Sequence, residues 1–209
     1  VTRSKPRSTV EECYTQILAD LDFAINNAPD FTVNYRASKI AAQALRARVL
    51  LYMGAYADAA AAADLVINNT ARSLEPSYAD VFSKGLNSKE LILQIYRDAN
   101  SDTDQNNRKR FYSGRAGNTW FPTLMAGDSR QPLTYSGLTV LKTNNAATFR
   151  PTYFMRLAEL YLIKSEALAR SGATVEASLT PLNVIRNRAG NDDAVATTTD
   201  EVLELVFEE

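Results

Sequence analysis

Hydrophobic residues recur at helical spacing through residues 149–190, which read "FRPTYFMRLAELYLIKSEALARSGATVEASLTPLNVIRNRAG". Apolar positions three and four apart are typical of an amphipathic helix, and the Ser-Gly pair at positions 171 and 172 is a typical break. The pattern therefore predicts two antiparallel helices, over residues 152–170 and 174–187. Pro181 lies inside the second helix and predicts a kink or break there, because proline has no N–H to donate to the preceding turn.

A similar pattern occupies the first third of the chain. Thr9 and Glu12 have the spacing of a capping box, and they predict a helix that ends in "NNAPD", where Pro29 stops it. A second helix is expected from about Ser38 to Gly54, and a third over "YADAAAAADLVI". Because the link "MGAY" is short, the second and third helices are predicted to form an antiparallel hairpin.

The two hairpins resemble each other around their turn glycines, which stand at positions 54 and 172, 118 residues apart. The turns read "GAYADA" and "GATVEA", a spacing typical of tetratricopeptide-like helix pairs. At the same offset Ala59 aligns with Ala177, and Val66 aligns with Val184. The sequence therefore predicts repeated helical hairpins in which small residues let the helices pack closely.

The helical period is lost after residue 70, and residues 90–98, "ELILQIYRD", predict a short strand. A segment rich in Gly, Asn, Asp and Ser follows up to about residue 150, which is too long for an ordinary connection. We expect residues 1–8 to form a tail and residues 9–209 a single domain. Within it, residues 9–69 are the first helical repeat part, residues 70–150 a loop-rich ligand-binding insertion, and residues 151–209 the second helical repeat part. The predicted fold class is mainly α, with tetratricopeptide-like helical hairpins, a long irregular loop region and little strand.

The two ends of the sequence differ in their patterns. A last helix is expected from about Thr199, with Thr199 or Asp200 as its cap. Since "EVLELVFEE" ends inside this helical pattern, we expect the sequence to be part of a longer chain. The start, "VTRSKPRST", has no apolar stretch typical of a signal peptide. The sequence contains no run of about eighteen apolar residues, so no membrane-spanning helix is predicted.

Charge and composition argue against several classes of function. The chain carries 23 basic and 24 acidic side chains, so nucleic acid is not an expected partner. It has no histidine, the commonest general base and transition-metal ligand. The single cysteine, Cys13, cannot form an intramolecular disulfide and is predicted to be a small, half-buried hydrophobe. No cofactor and no metal site are therefore expected.

Several stretches stand in an order that points to one family. They are "KIAAQALRARVLLYMGAYADAAAAADLVI", then "SKELILQIY", and then the most specific pair, "RLAELYLIKSEAL" with "LNVIRNRAG". Together they resemble the SusD/RagB family of outer-membrane nutrient-binding lipoproteins of Bacteroidota. The resemblance covers most of residues 9–209, which we interpret as one SusD-like helical domain. The segment between the second and third stretches is shorter than is usual in that family.

The resemblance implies a protein of the cell outer membrane, exposed at the surface and held there by a lipid anchor in the full-length form. It implies binding of an oligosaccharide or another nutrient without catalysis. It also implies delivery of that ligand to a SusC-like TonB-dependent transporter. The helices would then be mainly a scaffold that supports a binding site built from loops.

Sugar binding without catalysis needs flat aromatic faces for pyranose rings and planar polar groups for hydroxyls. The loop region brings both together in sequence. The candidate glycan-binding residues are Trp120, Tyr112, Arg115, Asn118, Asp128, Arg130 and Tyr135. Two alternatives stay open: the indole of Trp120 fixes the loop to the helical core, and Asp128 pairs with Arg130 to fix a turn.

Two other functions are compatible with the sequence. One is a tetratricopeptide-like scaffold that binds a protein or peptide in a helical groove, in which case Trp120 is buried. The other is a glycan-degrading enzyme, which needs two carboxylates in a cleft. Glu159 and Glu166 lie on roughly the same face of a helix, but we interpret them as interhelical ion-pair partners of Arg186 and Arg188.

Overall fold

The structure, a computed structural model, describes residues 7–96, 123, 125–136, 139–141 and 152–209. Its helices are α1 (Val10–Asn27), α2 (Lys39–Tyr52), α3 (Tyr56–Ile67), α4 (Tyr78–Ser83), α5 (Gln131–Thr134), α6 (Leu157–Arg170), α7 (Val175–Ala189) and α8 (Thr199–Glu208), with a 3₁₀ turn at Gly85–Asn87. Its strands are β1 (Leu91–Ile95), β2 (Tyr135–Ser136), β3 (Thr139–Val140) and β4 (Thr152–Arg156). The predicted fold class, mainly α with little strand, is confirmed.

Side-chain caps set where the long helices begin. Thr9 and Glu12 form the predicted capping box: the Thr9 N–H donates to Glu12 Oε2 at 2.8 Å, and the Glu12 N–H donates to Thr9 Oγ1 at 3.1 Å. The last helix has a second capping box, between Thr198 and Glu201. The prediction of Thr199 or Asp200 as its cap was therefore wrong by one residue or more, because Thr198 has the glutamate at the required third position.

Both helical hairpins turn at a glycine with positive φ. Gly54 has φ 77° and Gly172 has φ 82°, a left-handed conformation that costs glycine nothing. The residue after each glycine donates its N–H back into the preceding helix, Ala55 to Leu50 O at 3.0 Å and Ala173 to Leu168 O at 3.1 Å. The two turns therefore share one backbone device, as their similar sequences predicted.

The predicted offset fails after the turns. Ala59 and Val66 of α3 are fully buried, whereas Ala177 is exposed and Val184 is 38% exposed. The reason is a turn that is one residue longer in the second hairpin: α3 begins two residues after its glycine and α7 begins three residues after its own. The buried positions of α7 are consequently one residue further along the chain.

The main core lies where α3 packs on α6 and on α2. Small side chains line this interface, so the helix backbones approach closely. The fully buried alanines are Ala44, Ala47, Ala59, Ala63 and Ala167. Larger apolar side chains, such as Leu160 and Val66, fill the space between the alanines. The helices therefore interlock as a continuous scaffold.

A two-stranded antiparallel sheet joins the halves of the chain. The strand predicted in residues 90–98 is confirmed as β1, and it pairs with β4, with Leu91 opposite Arg156 and Ile95 opposite Thr152. The prediction of a helix from residue 152 was wrong, because residues 152–156 form β4 and α6 begins only at Leu157. The Leu157 N–H donates to Glu90 O at 2.9 Å, so the sheet continues directly into the helix.

Two expectations about single residues differ from the structure, and one helix was not predicted. Pro181 does not break α7, which runs unbroken around it, and its buried ring adds to the packing of that face. Cys13 is exposed rather than half-buried, because it lies on the outer face of α1. A short helix that the sequence did not predict, α4, begins at Tyr78 and is capped by Ser77, whose hydroxyl accepts the Asp80 N–H at 3.2 Å. Among the described residues, no helix is both long enough and apolar enough to cross a membrane.

Candidate functional site

The structure describes three of the seven candidate residues: Asp128, Arg130 and Tyr135. The other four, Trp120, Tyr112, Arg115 and Asn118, lie outside the described residues. Tyr135 is half-buried in β2, and it lies opposite Val140 where β2 and β3 pair in antiparallel fashion. Contact of these seven residues with a glycan stays a prediction.

Asp128 and Arg130 pair with each other and fix a turn, which was one of the two alternatives left open by the sequence. The Arg130 N–H donates to Asp128 Oδ1 at 2.7 Å, and Arg130 Nε donates to the same oxygen at 2.9 Å. Arg130 Nη2 lies 2.5 Å from Asp128 Oδ2. These hydrogen bonds lower the pKa of Asp128 to about 2, so the carboxylate is charged across the neutral range. The pair forms a rigid turn.

The same turn is attached to the ends of α7 and α8. Arg130 Nη1 donates to Glu209, whose other carboxylate oxygen accepts from Arg186 Nη1 at 3.4 Å. Asn191 Nδ2 donates to Asp128 Oδ2 at 3.4 Å. We name Asp128, Arg130, Asn191 and Glu209 the Arg130 cluster. The polar atoms of the Arg130 cluster bind one another, so the cluster fixes this turn onto the helical scaffold.

A second buried group of charges lies beside it. Glu90 is fully buried and its Oε2 accepts from Arg188 Nη1 at 2.5 Å, while Arg156 Nη1 lies 3.7 Å from Oε1. We name Glu90, Arg156 and Arg188 the Glu90 cluster. Burial, together with the Glu90 carboxylate, raises the pKa of Tyr161. A cavity of about 270 Å³ lies between the two clusters, and Arg130, Arg156 and Arg188 are among its lining residues.

The ion pairs predicted for α6 have different partners. Glu159 binds Arg48 of α2, with Oε1 2.6 Å from Nε, rather than Arg186 or Arg188. Glu166 pairs within its own helix, with Arg170 at 2.7 Å. The interpretation as ion-pair residues holds, but the partners were wrong because β4 and α2, whose position no local pattern reveals, lie next to the start of α6.

An aromatic cleft lies on another part of the surface. The rings of Tyr35 and Tyr96 are 4.8 Å apart at an angle of 57°, and their side chains are 39% and 46% exposed. The cleft encloses about 400 Å³, and we name it the tyrosine cleft. The sequence did not single out either residue. Two signals for this cleft were available in the sequence. One is the aromatic residue in the polar link before α2, and the other is the aromatic residue directly after β1.

A third concave surface lies on the helices. It is a groove of about 420 Å³ over α1, α2 and α3, and Ile25, Ala61 and Leu65 contribute apolar area to it. Asp22 and Arg46, which pair at 3.1 Å, border it. Within the described part of the chain, no group of three or more Cys, Asp or Glu side chains is arranged to hold a metal ion.

Two family models match the sequence. Residues 78–209 match the model described as the SusD family, and residues 2–51 match one described as starch-binding associating with outer membrane. The first match alone covers more than half of the chain. No curated protein matches the sequence significantly.

Solved structures share the fold. A SusD superfamily protein from Bacteroides thetaiotaomicron superposes with a TM-score of 0.80 at 26% identity, covering 99% of this chain and 54% of that one. For a SusD superfamily protein from Bacteroides vulgatus the TM-score is 0.77 at 27% identity, with 98% and 53% covered. Surface glycan-binding protein A from Bacteroides uniformis gives 0.70 at 19% identity, with 98% and 56% covered, a likeness of fold alone. The chain thus spans about half the length of the structures it matches.

Proposed function

Because the chain belongs to the SusD family, we propose that it is part of a cell-surface glycan-binding protein that acts without catalysis. The protein binds an oligosaccharide and delivers it to a TonB-dependent transporter of the outer membrane. The observation that carries the proposal is the match of residues 2–51 to a model described as starch-binding associating with outer membrane.

The electrostatics support binding rather than chemistry. Hydrolysis of a glycosidic bond uses two carboxyl groups that face the scissile bond. Three carboxylates of this chain form ion pairs with arginines: Glu159 with Arg48, Glu90 with Arg188, and Asp128 with Arg130. Each of these carboxylates is engaged in an ion pair rather than free to face a glycosidic bond.

Aromatic stacking and hydrogen bonds to hydroxyls would supply the affinity. A pyranose ring presents C–H groups on its faces, which pack against aromatic rings, and its hydroxyls need planar polar partners. In this proposal Trp120 and Tyr112 are the stacking residues of the loop insertion. Arg115 and Asn118 are hydrogen-bonding partners, and the Arg130 cluster fixes one end of that insertion to the scaffold.

Delivery to a transporter requires a protein-facing surface in addition to the glycan site. The groove over α1, α2 and α3 has the mixture of apolar side chains and bordering charges found at protein interfaces. The same groove supports the second candidate function, a tetratricopeptide-like scaffold for a protein or peptide. The two candidates differ in the environment they require for Trp120, exposed in a glycan site and buried in a scaffold.

Tryptophan fluorescence tests the proposal, because Trp120 is the only indole in the chain. Acrylamide quenching measures its exposure, and titration with a glycan panel then measures its protection. We expect an exposed indole that one glycan class protects, and loss of that glycan's binding in Trp120→Ala. A shielded indole that no glycan affects would remove Trp120 from the site and favour the protein-binding scaffold.

A further inference from the structure

The tyrosine cleft has polar groups beside its aromatic rings. Of the residues that line it, Thr32, Tyr35, Asn87 and Tyr96 are exposed, while Asn34 is only 4% exposed. Its volume of about 400 Å³ lies within the range of small-molecule sites. The two rings are tilted against each other, and both line the cleft. A flat apolar ligand face can pack on one ring and touch the other with its edge, while its polar groups point to the other side of the cleft.

The side-chain oxygen of Asn34, Oδ1, accepts no hydrogen bond from the described residues. Asn34 Nδ2 donates to Leu86 O at 2.6 Å, which fixes the amide orientation because a carbonyl must face a donor. Its Oδ1 is buried, and no described residue donates to it. A buried polar atom without a partner is costly and is rare in folded proteins. An O–H donor from a ligand bound in the cleft would satisfy it.

The wall around Asn34 is rigid. Asn34 O accepts from both the Gln94 N–H, at 2.9 Å, and Gln94 Nε2, at 3.0 Å, so this link is fixed to β1. The Arg72 guanidinium lies over the Phe31 ring at 3.8 Å and donates to Leu91 O at 3.2 Å. A site whose residues are held in place before binding loses little entropy when the ligand arrives.

We propose that the tyrosine cleft binds one pyranose ring of an oligosaccharide, separately from the loop insertion that contains Trp120. The ring packs its C–H face on one of the two tyrosines, Tyr35 and Tyr96, and its edge on the other, and one of its hydroxyls donates to Asn34 Oδ1. Asn87 and Thr32, at the rim, bind neighbouring hydroxyls. The assignment rests on the proposed function, because it names a second place on the same chain where the glycan binds.

Paired substitutions test the cleft by isothermal titration calorimetry with maltoheptaose, laminarihexaose, xylohexaose and mannohexaose. We expect Tyr35→Ala combined with Tyr96→Ala to weaken binding of the recognised glycan about tenfold, the equivalent of about 1.4 kcal/mol. Tyr35→Phe combined with Tyr96→Phe keeps the stacking faces and is expected to bind within about twofold of the wild type. Both rings are partly exposed, so thermal unfolding should be nearly unchanged in every variant.

Tyr52→Ala is the matched control, since Tyr52 is 72% exposed and lies at the opposite end of α2. It is expected to bind like the wild type. If the double alanine variant also binds like the wild type while Trp120→Ala loses binding, the cleft assignment is overturned and the proposed function stands. If the wild type binds none of the four glycans, both are overturned. An equal loss in the alanine and phenylalanine pairs would contradict stacking.

Discussion

The two helical hairpins differ in what their buried faces are made of. In the first, α2 and α3 meet through alanines, and Ala47 and Ala59 are fully buried. In the second, Ser165 of α6 and Ser178 of α7 take the corresponding places, and Ser165 Oγ donates to Ser178 O at 2.7 Å. Both solutions bring two backbones close together. The second one adds a hydrogen bond where the first has only van der Waals contact.

The second hairpin is also the one that holds the irregular part of the chain. Arg188 of α7 binds Glu90 at the start of β1, and Arg186 binds Glu209, which in turn binds Arg130. The first hairpin contributes mainly alanines to the shared core. Similar turns and helix lengths therefore serve two purposes: one hairpin is packing surface, and the other is an anchor for charged loops and strands.

The largest effect is expected where the anchoring charge is removed. Glu90→Gln keeps the side-chain shape but leaves Arg188, 7% exposed, without its carboxylate. Breaking a buried ion pair from one side costs about 3–5 kcal/mol. Urea unfolding at pH 7 should show a loss of that order. The pKa of Tyr161 should also fall toward its ordinary value, because the Glu90 charge contributes to raising it.

Glu166→Gln is the control for this substitution. Glu166 pairs with Arg170 one turn away on the surface of α6, and such pairs contribute about 0.3–0.5 kcal/mol. A loss below about 1 kcal/mol for Glu90→Gln would mean that the Glu90 cluster does not anchor the sheet to α7. The comparison between a packing hairpin and an anchoring hairpin would then fail.

The second prediction concerns the packing hairpin. Ala63 is fully buried between α3 and α6, so Ala63→Leu forces three extra carbon atoms into a filled interface. Overpacking of this kind costs about 1–3 kcal/mol. Ala61→Leu makes the same change on the exposed side of the same helix and should alter the free energy of unfolding by less than about 0.5 kcal/mol. Equal effects at the two sites would show that α3 and α6 do not interlock closely.

Much of the scaffold could be predicted from the sequence, because its signals are local. Apolar spacing, the Thr9 capping box and the turn glycines each act within a few residues, and each is found where expected. The predictions fail where a residue far away in the sequence determines the local structure or the ion-pair partner. Residues 152–156 form a strand because β1 is there to pair with them, and Glu159 binds Arg48 because α2 lies beside it.

The candidate site was less predictable for the same reason. The pairing of Asp128 with Arg130 was foreseen as one alternative because the two residues are neighbours in sequence. Their attachment to Glu209 joins positions far apart, and so does the meeting of Tyr35 with Tyr96. No spacing rule brings such pairs together, since only the packing of the helices and of β1 does so.

The third prediction tests whether the two turns are equivalent. An added Cβ at Gly172 meets no atom within 4 Å, and at Gly54 its nearest neighbour is the Tyr56 ring at 3.9 Å, an ordinary contact. Gly54→Ala and Gly172→Ala should therefore each cost about 1–2 kcal/mol, from the positive φ alone. Gly172→Asn should recover part of this cost, because asparagine tolerates that conformation. Urea unfolding of the three variants measures the difference, and a marked inequality between the two alanine variants would contradict equivalent turns.

The smallest effect is expected at the turn that the second hairpin anchors. Arg130 lowers the pKa of Asp128 from its ordinary 3.8 to about 2, so the folded state binds this proton less readily than the unfolded state. Its contribution to stability is therefore present above about pH 4 and is lost as the pH falls through 2. Because solvent screens part of the pair, we expect no more than about 1 kcal/mol.

Unfolding midpoints in urea between pH 5 and pH 2 measure this contribution as the gap between wild type and Asp128→Asn. The gap should close as the pH falls, because the variant has no carboxylate to protonate. Asp20→Asn, on the exposed face of α1, should give a curve parallel to that of the wild type. A gap between wild type and Asp128→Asn that stays constant down to pH 2 would mean that Arg130 does not hold the Asp128 charge. The Arg130 cluster would then not be what fixes this turn to the second hairpin.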